Sequence, residues 1–357
     1  MLAFGPMFAS HTALQRERFR LFLRILAYSA VIGATYGALL APTGFSPVIS
    51  ILVGIANGVL IAGCIGGIEI FLLREGTAMR RLLRLPFIAV VLLKTLAYGG
   101  IVSFFVLGAP LMNDLFPGIF RATPLDRHAQ VVTIGFSLAT TVIFVIVLQA
   151  ASLVGRRTFR DLVLGRYRRP RAERRFFLFV DVAGSTAIAE RLGPLQAHRF
   201  LSAVFSAMAE PVAVCRGEIH QYVGDEIVVT WTEAEGTQDA RPLHCFFLME
   251  AALRELKQQF VGEFAAEPGL RAALHLGEVI AGEIGQSRRA IVFHGDVMNT
   301  ASRLEHATRA LGVRFIASED ALRALGPQPD MEFKDLGALP LRGRKEPIRA
   351  SGVALRN

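Results

Sequence analysis

The stretch "FFLFVDVAGST", residues 176–186, joins an apolar run to a cluster of small polar residues. Five apolar residues lead directly into Asp181, and Gly184, Ser185 and Thr186 follow. The run is typical of a core strand, the glycine permits a turn, and Ser185 or Thr186 is expected to cap a helix. The free N–H groups of such a helix would meet phosphate oxygens. Taken alone, the pattern is more often a helix cap than a metal ligand.

The composition of the whole chain favours a membrane protein. Of 357 residues, 52% are hydrophobic, yet the formal net charge is +9. Apolar spans that alternate with basic cytoplasmic loops explain this combination. Because the arginines cluster beside the apolar runs, we expect a lipid membrane as partner and no nucleic acid. The three cysteines are scattered, without disulfide or metal-type spacing, which fits a reducing compartment.

Four apolar runs are long enough to cross a bilayer: residues 19–41, 48–73, 86–108 and 129–154. Basic residues cluster on one side of these runs, namely Arg16, Arg18, Arg20, Arg24, Arg74, Arg80, Arg81, Arg84, Arg156, Arg157 and Arg160. The two loops on the other side carry no basic residue (residues 42–47) or a mixed set, Asp114, Arg121, Asp126 and Arg127. The positive-inside rule therefore places both termini in the cytoplasm. The sequence predicts a four-helix transmembrane domain over residues 1–155, in the plasma (inner) membrane.

Two charged residues fall inside these runs. Glu69 is near the cytoplasmic end of its span and is expected to reach the interface. Lys94 is nearer the middle, which makes it a candidate for a sensing or pairing role.

Residues 156–175, "RRTFRDLVLGRYRRPRAERR", form a basic juxtamembrane linker. We expect a helix that leaves the fourth span, lies near anionic headgroups and ends around Pro170. The segment is either a positive-inside anchor or a joint that transmits a change in helix packing.

The remaining residues alternate strand-like and helical stretches, which suggests a mixed α/β sheet covered on one side. Gly224 and Asp225 separate two apolar strand halves, where a tight hairpin turn is expected. Asp225 would thus be a second carboxylate at a strand end. Two aspartates on adjacent strands can hold Mg²⁺, which takes its other ligands from water and substrate phosphate.

A third motif is "HGDVMNTASRLE", residues 294–305. Asn299 and Arg303 are four residues apart and so share one helical face, and Asp296 is the expected N-cap. An arginine and an asparagine together suit an anionic, hydroxyl-bearing transition state. The alternative is a solvated amphipathic face that carries Arg303 and Glu305.

Together these motifs resemble the class III nucleotide cyclases, the adenylate/guanylate cyclase catalytic domain. The resemblance extends from residue 176 to about residue 350 and rests on segments in the same order, "FVDVAGSTAIAERLG", "YVGDEIVV", "HLGEVIAGEIG", "HGDVMNTASRLE" and "LGALPLRGRKEPIRAS". It implies a ferredoxin-like α/β (α+β) catalytic domain over residues 176–357 that converts ATP to 3′,5′-cyclic AMP and pyrophosphate. It also implies a head-to-tail homodimer with the active site at the interface.

The resemblance also implies residue roles. Two Mg²⁺ or Mn²⁺ ions would be bound by Asp181 and Asp225, with Val182 completing the metal set. Asn299 would orient the ribose, and Arg303 would stabilise the pentavalent α-phosphate.

The terminal phosphates would be held by Arg342 or Arg344, and the order of the segments leaves both open. Gly184, Ser185 and Thr186 would lie against the substrate.

The positions that read the base depart from the family pattern. The residue four before the second metal aspartate is usually Lys in adenine-specific members and Glu in guanine-specific ones, and here it is Gln221. The partner position, usually Asp or Thr in adenylate cyclases, is Val292. An amide both donates and accepts, so Gln221 fits adenine without excluding guanine, and we expect modest discrimination.

Adenine is therefore assigned because membrane-bound bacterial members are more often adenylate cyclases. The alternatives are a guanylate cyclase, or a catalytically weak receptor module whose cyclase-like domain only binds nucleotide or dimerises. "VGDEI", residues 223–227, is also similar to the signature of diguanylate cyclases, but the other motifs have no counterpart there.

Overall fold

The computed structural model describes residues 5–39, 47–69, 85–115, 127–286, 289–344 and 346–356. The chain divides into two compact units, Met1–Val154 and Gly155–Asn357.

The first unit contains four long helices, α1 (Gly5–Leu39), α2 (Pro47–Gly67), α3 (Phe87–Leu115) and α4 (Arg127–Val154). All four are long and apolar enough to cross a membrane, so the predicted set of four apolar helices is confirmed. The predicted basic residues of the second loop, Arg74, Arg80, Arg81 and Arg84, lie outside the described residues.

Helices α1 and α2 pack closely through glycine. A Cβ atom added to Gly33 would lie 2.2 Å from the carbonyl oxygen of Gly54, closer than any side chain permits. Small residues that allow two backbones to approach are the usual means of helix association in lipid.

The two charged residues of the apolar runs pair with each other. The Lys94 ammonium, buried on α3, donates to the Glu69 carboxylate, and the Tyr98 hydroxyl donates to the same carboxylate. The pairing role considered for Lys94 is therefore observed, whereas Glu69 is held by α3 residues. A paired charge costs far less in an apolar environment than an isolated one.

The second unit alternates helices and strands. In chain order its elements are α5 (Arg156–Val163), β1 (Arg171–Ala183), α6 (Ser185–Leu192), α7 (Pro194–Val214), β2 (Glu218–Val223), β3 (Glu226–Thr232), α8 (Glu233–Gly236), a 3₁₀ turn (Gln238–Ala240), α9 (Arg241–Glu255), α10 (Lys257–Phe264), β4 (Gly269–Ile284), β5 (Ala290–His294), α11 (Asp296–Leu311), β6 (Phe315–Ser318), α12 (Glu319–Leu325), β7 (Met331–Leu339) and β8 (Ile348–Leu355).

The strands form one mixed sheet in the order β2-β3-β1-β4-β6-β8-β7, with β5 paired to β4. The central strand β1 is antiparallel to both β3 and β4, whereas β4 and β6 are parallel. This architecture confirms the predicted ferredoxin-like α/β (α+β) domain.

The sheet is covered on both faces, so the expected one-sided cover is wrong. Phe176 and Leu178 pack with α7 and α9 on one face, and Phe177 and Phe179 pack with α11 on the other. The physical reason is the composition of β1, which has consecutive apolar residues. Because successive side chains of a strand point to opposite faces of the sheet, both faces of β1 are apolar and both are buried.

The basic linker is folded onto the second unit. Helix α5 ends at Val163, before Pro170, and β1 already begins at Arg171. An ion pair joins Arg157 to Glu235 at 2.8 Å, and the Thr158 hydroxyl donates to Glu218 at 3.1 Å.

Candidate active site

Asp181 lies near the end of β1, where the strand leaves the core. Its Cα faces Glu226 on β3 and Arg271 on β4. Because residues two apart in a strand share a face, Asp181 continues the row of Phe177 and Phe179 on the α11 side of the sheet. Its side chain is only 14% exposed, so the carboxylate is held largely away from water.

Asp225 lies in the turn between β2 and β3, as predicted, and Gly224 supplies the left-handed backbone (φ 63°) that the turn needs. The Asp225 carbonyl accepts a hydrogen bond from the Val182 N–H at 3.2 Å, and its carboxylate accepts one from the Ser185 hydroxyl. Asp181, Val182, Ser185 and Asp225 are thus brought together by the end of β1 and the β2–β3 turn.

The predicted cap of the following helix is wrong. Gly184, in the left-handed conformation (φ 73°), is the N-cap of α6, with no side-chain cap hydrogen bond. Ser185 and the exposed Thr186 are already in the helix. The Ser185 hydroxyl is directed to Asp225 instead, because a glycine cap leaves the serine free to support the carboxylate.

Two further carboxylates, Glu226 and Glu305, were missed by sequence reasoning. Glu305 is only 4% exposed, which contradicts the solvated-face interpretation. Burial first, and then the charges of Glu305 and Asp225, raise the pKa of Asp181 to about 7. Burial and the same acidic neighbours, with Asp181, raise the pKa of Glu226 to about 7. Only the adjacency of Glu226 to Asp225 in the sequence could have indicated this cluster.

A cluster of this kind favours a divalent cation. Carboxylates that are crowded together and buried are costly to ionise, because each negative charge repels the others and loses its hydration. A divalent cation bound by the carboxylate oxygens offsets this electrostatic cost. One protein cation lies beside this cluster: the Arg271 guanidinium is 3.7 Å from the Asp181 carboxylate. In the described part of the chain, no three His, Cys, Asp or Glu side chains are arranged as a metal site by themselves. The residues therefore fit a hard ion that takes its remaining ligands from substrate and water.

Helix α11 carries the second predicted group. Its N-cap is Gly295, so the prediction of Asp296 as N-cap is wrong; Asp296 is the first helical residue. Asn299 is exposed and Arg303 is half-buried. Arg303 Nη1 is buried and has no hydrogen-bond partner among the described residues. Burying a guanidinium nitrogen without a hydrogen-bond partner costs free energy, unless a ligand accepts a hydrogen bond from it.

The loop between β7 and β8 lies against Arg303. A Cβ atom added to Gly343 (φ 79°) would lie 3.4 Å from Arg303 Nη2. Arg344 Nη1 is 2.6 Å from both the Asp296 carboxylate and the Thr300 hydroxyl, so it is engaged by α11. Arg342 is exposed and makes no ion pair with any residue that the structure describes.

The two positions that the sequence predicts to read the base carry no charged side chain. Gln221 is exposed on β2, and Val292 is half-buried on β5. No hydrogen bond between described residues joins Asp181 or Asp225 to Asn299 or Arg303. We call Asp181 and Asp225 the carboxylate group, and Asn299 and Arg303 the α11 group.

Comparisons with known proteins identify the second unit. A family model of the adenylate and guanylate cyclase catalytic domain matches residues 170–350. "Adenylate cyclase 2" of Rhizobium meliloti (strain 1021) is 37% identical over 232 residues, which cover 65% of this chain and 64% of that protein. "Adenylate cyclase" of Anabaena cylindrica is 28% identical over 48% of this chain and 35% of its own length. This chain thus spans about two thirds or less of these relatives.

Among solved structures, a bacterial light-regulated adenylyl cyclase superposes with a TM-score of 0.51 at 18% sequence identity, over 61% of this chain and 64% of that chain. That likeness shows the fold. Members of the family generally depend on a divalent metal, in keeping with the carboxylate group. Since the family model covers half of the chain, and the residues it matches lie within the second unit, this chain belongs to the class III adenylate and guanylate cyclase family.

Proposed function

We propose that the chain is a membrane-bound adenylate cyclase that converts ATP to 3′,5′-cyclic AMP and pyrophosphate. In this reaction the ribose 3′-oxygen attacks the α-phosphorus, the hydroxyl proton is lost, and the bond from the α-phosphorus to the pyrophosphate oxygen breaks. The observation that carries the proposal is the meeting of Asp181 and Asp225 at one end of the sheet. The names of the relatives favour ATP as substrate.

Asp181 and Asp225, with the Val182 backbone, would hold two Mg²⁺ or Mn²⁺ ions. Such ions activate the 3′-hydroxyl and neutralise charge on the phosphates. The Ser185 hydroxyl keeps the Asp225 carboxylate in place. The first N–H groups of α6, after Gly184, are free for phosphate oxygens because no side chain caps them.

Helix α11 would supply the groups that act on the sugar and the α-phosphate. Asn299 is exposed and can orient the ribose. Arg303 Nη1 has no hydrogen-bond partner among the described residues. It would donate to an oxygen of the α-phosphate, where negative charge develops in the transition state. Between the two candidates for the terminal phosphates we favour Arg342, because Arg344 is already paired with Asp296.

The site would form between two copies of the chain. Asn299 and Arg303 make no hydrogen bond to Asp181 or Asp225 among the described residues of one chain, and a head-to-tail pair would bring a carboxylate group and an α11 group together across the interface. Apolar side chains at the tips of two hairpins support such an interface: Tyr222 and Val223 are 51% and 52% exposed, and Ile284 is 50% exposed. The four apolar helices would place this homodimer in the inner membrane, with the catalytic unit in the cytoplasm.

The test is cyclic nucleotide production by the purified full-length chain in detergent. ATP and GTP are each supplied with Mg²⁺ and with Mn²⁺, and Asp181→Asn serves as the blank. Cyclic AMP from the wild type alone is the expected result. Cyclic GMP as the main product would assign a guanylate cyclase, and no product above the blank would favour a receptor module.

A further inference from the structure

Strand β2 carries one residue more than its partner β3 beside the base-reading position. Ile219 pairs with Val229, and Gln221 pairs with the next residue of β3, Val228. His220 is therefore an extra residue, a β-bulge.

The bulge decides on which face of the sheet Gln221 lies. Directly opposite residues of an antiparallel pair share a face. Val228 packs with Phe177 and Phe179 on the α11 face, the face of Asp181. Gln221 therefore lies on this face. In a regular ladder Gln221 would pair with Ile227, which packs on the opposite face with α7.

The His220 ring fixes the bulge by packing on Phe293. The two ring centroids are 4.9 Å apart, and the Arg175 guanidinium lies 4.6 Å from the Phe293 ring centroid. Arg175 is 2% exposed and is itself held by ion pairs of 3.0 Å to Glu173 and Glu218. Burial, followed by the charge of Arg175, lowers the pKa of His220, so the ring packs in its neutral form.

This contact links the two base-reading positions. His220 directly precedes Gln221 on β2, and Phe293 directly follows Val292 on β5. We propose that His220 is a positioning residue for base recognition: its bulge and its packing on Phe293 hold the Gln221 amide at a fixed place relative to Val292. The inference rests on the proposed function, since it takes these two positions to face the base.

The first measurement is binding rather than turnover. The affinities of the full-length chain for α,β-methylene ATP and α,β-methylene GTP are measured by titration calorimetry with Mg²⁺. The analogues cannot lose pyrophosphate, so their affinities do not depend on catalysis. We expect His220→Ala to reduce the preference between the two analogues by about tenfold, the effect of losing one well-placed hydrogen bond. His220→Phe, which keeps a ring against Phe293, should restore the preference.

The controls separate positioning from folding. His198→Ala, at an exposed residue of α7, should leave the preference unchanged. In a Phe293→Leu background, His220→Ala should have little further effect, because contacting residues that act as a pair are not additive. In turnover, His220→Ala should raise the KM for ATP while kcat stays within about twofold, since the carboxylate group and Arg303 are untouched.

Three results would overturn the inference: an unchanged preference in His220→Ala, equal behaviour of the Ala and Phe variants, or a wild type that binds both analogues equally. Failure of the proposed function looks different. A wild type that makes no cyclic nucleotide, but whose binding preference is lost in His220→Ala and restored in His220→Phe, would refute the enzyme and support the positioning role.

Discussion

The carboxylate end of the candidate site (Asp181 and Asp225) and the end proposed to read the base (Gln221 and Val292, the base-reading end) are built in opposite ways. Asp181 and Asp225 are drawn together by backbone and side-chain hydrogen bonds, among acidic neighbours that raise the pKa of Asp181 to about 7. Gln221 is exposed, and Val292 has no polar group to offer. Strongly perturbed groups are arranged for chemistry, whereas an amide and an aliphatic side chain supply only weak selection. Loss of a residue should therefore cost far more at the first end than at the second.

The largest effect is expected for Asp181→Asn. It removes the charge that a metal would require, so the rate of cyclic nucleotide formation should fall by more than about 10³-fold. The thermal midpoint of the metal-free protein should stay level or rise, because one of several crowded carboxylates is gone. Glu332→Gln, at an exposed acid on β7, is the matched control and should change neither quantity. Residual activity above about a tenth of wild type would show that Asp181 is not essential to the site.

Mixing two inactive variants tests whether the carboxylate and α11 groups meet in trans. A heterodimer of Asp181→Asn and Arg303→Ala chains contains one site with both residues intact and one with neither. Random pairing should restore about a quarter of wild-type activity. Each variant alone should remain inactive at the same total concentration. A mixture as inactive as its components would place both groups of one site in a single chain.

A smaller effect is expected at the base-reading end. Gln221→Glu should shift the ratio of kcat/KM for ATP and GTP toward GTP by about 10-fold to 100-fold, because a carboxylate only accepts hydrogen bonds. Gln221→Lys should shift the ratio toward ATP, and the summed rate should change little in both variants. A fall in rate with an unchanged ratio would show that this residue supports the structure and does not read the base.

The contrast between the two ends also separates what the sequence could predict from what it could not. Asp181, Asp225 and the α11 pair follow from local patterns, since strand ends, tight turns and helical spacing are short-range features. Glu305 is close to Asp181 only because α11 packs across β1, and nothing in its own segment indicates burial. The same holds for Arg271, which faces Asp181 through the register of two distant strands. Contacts that depend on tertiary packing cannot be predicted from the hydrophobic periodicity of the sequence.

The capping errors have a related origin. Asp296 and Ser185 have the composition of helix N-caps, but a glycine precedes each and takes the cap position. The side chains then serve other partners, Arg344 and Asp225. The expected one-sided sheet is wrong for a different reason: an apolar run without alternation indicates burial of both faces, whereas the order of helices along the chain does not decide which face they cover.

The last expected effect concerns stability at low pH and not activity, and it separates the carboxylates from His275. His275 is 4% exposed on β4, with Nδ1 2.8 Å from the Ser318 hydroxyl, and burial lowers its pKa from 6.5 to about 4. The unfolded chain therefore takes up a proton at a pH where folded His275 stays neutral. Its contribution to stability is complete above pH 6.5 and is lost as the pH falls to about 4, on the order of 3 kcal/mol in all. Asp181 and Glu226, with raised pKa values, act in the opposite direction, because they destabilise the folded chain as the pH rises toward 7.

His275→Gln isolates this contribution, since glutamine keeps a hydrogen-bonding group but does not titrate. The chain has a single tryptophan, Trp231, fully buried in β3 with its indole N–H donating to the Cys215 carbonyl at 2.8 Å, so its fluorescence reports unfolding of the catalytic unit alone. From pH 7 to pH 5 the two carboxylates stabilise both proteins alike, so the change in thermal midpoint should be several degrees less favourable in the wild type than in the variant. Parallel pH profiles would mean that the pKa of His275 is the same in the folded and the unfolded chain, and that its burial does not contribute to the pH dependence of stability.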